Sequence, residues 1–148
     1  MAPVQDYQGG YDVDQPIGYA GMRADASPCD VSSRVVENAR VAFGLAVGRG
    51  ATDGSCRLGG TGYEGITVAD KSREADDTNA DDYAVGEVAG VMRKGTIWVT
   101  ASTNVDPSVP VTFTAATGVI GAGLATTIAD AKFETTATAG NLVRVYLG

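Results

Sequence analysis

The chain contains no histidine, and that absence removes the side chain most often used as a general base near neutral pH. A nucleophile would have to draw on a lysine or a carboxylate instead. Lys71, Lys94 and Lys132 each fall beside turns or strand ends, where solvated lysine is the norm. A carboxylate pair such as Glu64 and Glu87 stays open as a glycosidase-like arrangement, because sequence does not fix its separation. Cysteine is nearly absent. A chain of this size made in a reducing compartment keeps its two cysteines, Cys29 and Cys56, as thiols. No stretch approaches the 18 apolar residues of a membrane-crossing helix, and the first residues lack the basic start and apolar core of a signal peptide. The expected partners include no membrane, and synthesis in a cytoplasm is expected.

Positive charge is also scarce. Eleven basic residues stand against 18 acidic ones, a net charge of −7 that repels a phosphate backbone on average. Arg93-Lys94 is the only adjacent basic pair, whereas a strand-reading groove interleaves basic and aromatic residues. No nucleic-acid partner is expected.

What the chain does have is 148 residues, 44% of them hydrophobic, and 20 glycines. That is enough for one domain with its own core, divided by many turns into short elements. Residues 84–99 read as two strands joined at Lys94-Gly95, a hairpin carrying the single tryptophan, Trp98. Trp98 reads as a core side chain. Ile97 and Val99 flank it on the opposite face, so this strand is covered on both sides, by a second sheet or by another subunit.

Residues 41–47 alternate Val41, Phe43, Leu45, Val47 with Ala42, Gly44 and Ala46, which predicts a strand. Helical spacing of Val35, Val36 and Ala39 competes over residues 32–40, but the β-branched residues favour an extended backbone. The glycine-rich segment at Gly48-Arg49-Gly50 reads as the break after that strand, and residues 58–62 as another turn before a short strand at 65–69. Further strands are expected at 109–114, near 131–136, and at 142–147, where Val143, Val145 and Leu147 share a face. Residues 115–129 read as a loop of small residues. Several short strands without a long helix indicate a mainly β protein, a small barrel or sandwich.

Residues 1–30 form an extended N-terminal arm in this reading, and residues 31–148 the β-rich body. The arm has glycines, prolines and no periodicity, yet it carries Tyr7, Tyr11 and Tyr19, rings that gain from burial against a partner. Among candidate ligand motifs, Asp77, Asn79 and Asp81 have calcium-loop spacing. The sixth position is Asp82 where glycine is required and the twelfth is Val88 where glutamate is required, so no metal is assigned. Gly118 to Gly123 resembles a phosphate-cradling turn but lacks the following Lys-Ser/Thr pair, and no cofactor is assigned.

In chain order, GYAGMRAD (residues 18–25), SRVVENARVAFGLAV (33–47), GIT (65–67), VMRKGTIWV (91–99), AKFET (131–135) and the C-terminal strand resemble the structural cement, or head decoration, proteins of tailed bacteriophages. Residues 76–82 and 115–129 depart from that pattern. The resemblance implies no catalytic residue. It implies a β-rich body that forms a homotrimer on the outside of a capsid, with arms gripping the major capsid protein. Tyr7, Tyr11, Tyr19 and Arg23 would lie on the arm, with Arg34, Glu37 and Arg40 adding polar contacts near it. A head completion or tail component would share the body and the arm. A soluble carbohydrate-binding β-domain is the alternative of another class.

Overall fold

Runs of β-branched residues with period two become strands, and glycines mark most of the corners. The computed structural model describes residues 18–70 and 81–148, and all regular elements among them are strands. β1 (Asp30–Val36), β4 (Ser55–Arg57), β3 (Ala46–Arg49), β5 (Thr61–Thr67) and β7 (Val88–Lys94) pair in that order and close into a barrel. A second sheet runs β10 (Ile120–Gly121), β9 (Pro110–Phe113), β11 (Thr126–Phe133), β12 (Leu142–Tyr146), β8 (Thr96–Thr100). A two-stranded ribbon joins β2 (Val41–Ala42) to β6 (Asp82–Tyr83). The mainly β expectation holds, and the extended reading of residues 32–40 holds as far as Val36; residues 37–40 leave the strand in a bend with Asn38 at φ +76°.

Two hydrophobic clusters follow from strand alternation. Val36, Val41, Phe43, Val47, Cys56, Tyr83, Ala89 and Val91 fill the barrel, with the rings of Phe43, just after β2, and Tyr83 of β6 edge to face at 5.1 Å. The Tyr83 hydroxyl donates to the Val68 carbonyl, so its buried polar end is satisfied. On the barrel's outer face, Ala46, Ile66 and Met92 join Ile97, Val99, Val111, Phe133, Val143, Val145 and others of the second sheet. Barrel and sheet therefore share one core.

Three local readings change. β7 and β8 are not a hairpin: β7 pairs with β1 and β5 in the barrel, while β8 pairs with β12 in the second sheet. Gly95, at φ +120°, turns the chain from one sheet into the other. Residues 41–47 are not one strand, because Gly44 takes φ +77° and separates β2 from β3, which continues through Gly48 and Arg49. The small-residue passage 115–129 is not all loop, since it contains β10 and the start of β11.

The sheet edges are covered. A bridge between Ala101, just after β8, and Ile120 of β10 links the two ends of the second sheet's order. Along β8, residues 21–24 add a short antiparallel stretch: Gly21 N donates to Trp98 O (2.8 Å), Trp98 N to Met22 O (2.9 Å) and Ala24 N to Thr96 O (2.9 Å).

Candidate functional site

Of the expected arm, residues 18–30 fall among those described; Tyr7 and Tyr11 lie outside them. The arm's root is fixed at several points. Besides the bonds to β8, the Gly21 carbonyl accepts from Ala69 N at 2.8 Å, which ties the root to the barrel as well as to the sheet. Trp98 is 8% exposed, and Gly18 and Met22 lie over it: a Cβ on Gly18 would sit 3.3 Å from the Trp98 ring. The outer face of β8 is thus covered by this chain's own N-terminal segment, while Ile97 and Val99 face the core.

Just past that stretch, Asp25 accepts from Arg144 Nη2 at 2.8 Å, and Arg144 Nε reaches Glu134 at 3.1 Å. The Ser27 hydroxyl and N–H both bond Asp25 and, with Arg144, hold its carboxyl below the usual range. Tyr19 is 42% exposed, and Arg23 is exposed where its backbone bridges Ile97.

The remaining candidates have separate internal partners. Arg34 Nε lies 3.5 Å from Glu64, whose carboxylate also meets Arg93 Nη2 at 3.3 Å, so one acid on β5 stands between cations from β1 and β7. Glu37 accepts from the Ala51 N–H and from the Thr52 hydroxyl; the first of these does most to hold its carboxyl low. Arg40 grips Asp82 with both arms of its guanidinium, at 3.0 and 2.9 Å, and pins the ribbon across residues 40 and 82. Arg34 and Glu37 share a neighbour in Cys56, a free thiol pushed up to about 11 by burial. Glu64 and Glu87 each have structural work, Glu64 with its two arginines and Glu87 accepting from Ala84 N. The calcium-spaced Asp77 and Asn79 lie outside the described residues.

One surface escaped the sequence reading. Val31, Val35 and Val88 are 44%, 43% and 60% exposed, on the outer face of the β1–β7 pair. β-branched residues in a strand are usually buried, so residue type alone does not mark these three as exposed. The signal was Ser33, which shares their face between Val31 and Val35.

A profile of the structural cement protein family, described by the examples E217 gp24 and Pam3 gp6, matches residues 7–148. The fold is similar to a chain in the capsid of Myoviridae phage XM1, with TM-score 0.70 and 21% identity over 95% of this chain and 96% of that one. The head fibre gp8.5 N base of bacteriophage phi29 matches with TM-score 0.49 and 14% identity over 82% of this chain and 95% of that one. No curated protein matches. With the profile spanning both sheets and most of the segment before them, the chain belongs to the phage structural cement protein family.

Proposed function

We propose that this protein binds the outer surface of the phage head as a homotrimer and stabilises the lattice of the major capsid protein through its N-terminal arm. Family membership makes it a virion structural protein associated with the capsid. The observation that carries the finer reading is the fixed root. Residues 21–24 are hydrogen-bonded to β8 and Gly21 to Ala69, so a grip by Tyr7 and Tyr11 upstream passes directly into both halves of the body. Tyr19 and Arg23 extend that grip to the root. Arg34, Glu37 and Arg40 act as rim groups, because each already answers an internal partner and an exposed charge adds little.

The mechanism is mass action. A ligand that binds the assembled lattice and not its dissociated subunits stabilises the lattice by its differential affinity. Three arms on one trimer rebind faster than one, which raises avidity without new contacts. The protein acts by binding, without catalysis, after synthesis in the host cytoplasm.

Deleting residues 1–17 tests this, since it removes Tyr7 and Tyr11 but leaves the Gly21 clamp. The expected result is a folded body that no longer binds heads; full occupancy by the truncated protein would overturn the arm's role.

A further inference from the structure

We infer that the valine face of the β1–β7 pair is a second contact with the capsid shell, docking an uncharged apolar surface of the shell protein beside the arm. The inference rests on the cement reading above. Strand register defines the face: Val35 pairs with Val88, and Ser33 with Gly90. Val31 closes toward Gly90, where an added Cβ would meet Val31 Cγ1 at 3.3 Å and Val68 Cβ at 3.8 Å. None of Val31, Ser33, Val35, Val88 and Gly90 is charged, on a chain whose net charge is −7, and the first charged side chain along this face of β7 is Lys94, beyond the buried Met92 that pairs with Val31. Isolated exposed valines need no explanation, but a contiguous group on paired strands marks an interaction surface.

Position selects the occupant. The Gly21 carbonyl binds Ala69, and Val68, the next residue, donates its N–H to Gly90 O at 2.8 Å. The arm's root and the valine face are therefore neighbours on one surface. Size points the same way: a standing protein–protein complex buries about 800 Å² on each partner, and a few half-exposed valines supply a fraction of that. Such a contact cannot hold a dimer together alone. It contributes when a tether already keeps the surfaces at high effective concentration, and the arm is such a tether.

The test uses the full chain and undecorated heads of the same phage. Val88→Glu places a charge on the face, and Val35→Thr/Val88→Thr keeps the β-branched shape as a milder change in case the first variant folds poorly. Wild type and both variants are compared by sedimentation alone and by titration onto heads. The inference expects unchanged free sedimentation with head affinity at least tenfold weaker for Val88→Glu and severalfold weaker for the threonine pair. Unchanged affinity in folded variants would overturn it. So would a smaller free species, which would show the face to be a contact between copies. Failure of the wild type itself to bind heads would remove the cement reading and this inference together.

Discussion

Gly21 and Gly44 meet backbone to backbone: a Cβ on Gly44 would lie 2.9 Å from Gly21 N, and one on Gly21 would lie 3.1 Å from Gly44 N. Both hold positive φ, +85° and +77°. This contact seats the arm's root against the turn between β2 and β3, where Phe43 enters the barrel core.

Alanine at either position should therefore cost stability twice, through the left-handed backbone and through the close approach. The strained backbone alone is worth about 1–3 kcal/mol, and for a chain of this size each kcal/mol lowers Tm by about 2–4 °C. Gly54 provides the control, with φ +75° and open space around its Cβ position. Thermal melts should rank Gly21→Ala and Gly44→Ala below Gly54→Ala. Equal losses at all three would show that the packing of Gly21 on Gly44 contributes nothing.

The two thiols should separate under a thiol reagent. Cys29 is exposed and Cys56 is buried in the barrel with its thiol raised to about 11. The thiolate is the reacting form, so Cys29 should be modified in the native protein and Cys56 only on unfolding. A colorimetric count that rises from one thiol per chain to two on adding denaturant is expected; two in the native state would contradict the barrel's closure.

Acid sensitivity should trace in part to Glu37. Its carboxyl is held below the ordinary glutamate value, first by the Ala51 N–H, so the folded state binds the proton less readily than the unfolded state does. The stability this contributes is present above pH 4.5 and is lost as pH falls through the lower folded value. Glu37→Gln should lower stability at neutral pH and flatten the acid limb below pH 4.5 in denaturation curves recorded across pH. An acid limb identical to wild type would remove Glu37 from the account.

Strand identity was legible wherever one face of a strand is buried and the other is not. Val143, Val145 and Leu147 alternate as the C-terminal strand requires, and all three are buried. Pairing was not legible. Lys94-Gly95 between two apolar runs has the local chemistry of a hairpin, and only the competition of β1, β5 and β12 for the strand edges makes it a corner. Gly44 hid for a related reason: a glycine inside an alternating run reads as a strand position until a distant backbone, here Gly21, occupies the space a side chain would need.

The covering of Trp98 shows the same limit. Two apolar faces on β8 were readable, but one cover is the second sheet's core and the other is a segment more than 70 residues upstream in the chain, Gly18 with Met22. Among the candidate contacts, the charges of Arg34, Glu37 and Arg40 were visible; their partners Glu64, Ala51 and Asp82 were not, because each pairing is set by strand register or a turn rather than by a motif.

The most direct test of the cement role is a titration of undecorated heads with the purified protein, read by co-sedimentation to saturation. The account predicts a stoichiometry that scales with the coat subunits of the shell, and a free species near three times the chain mass. Binding confined to a single vertex would identify a completion or tail component, and a monomer that ignores the heads would contradict the account.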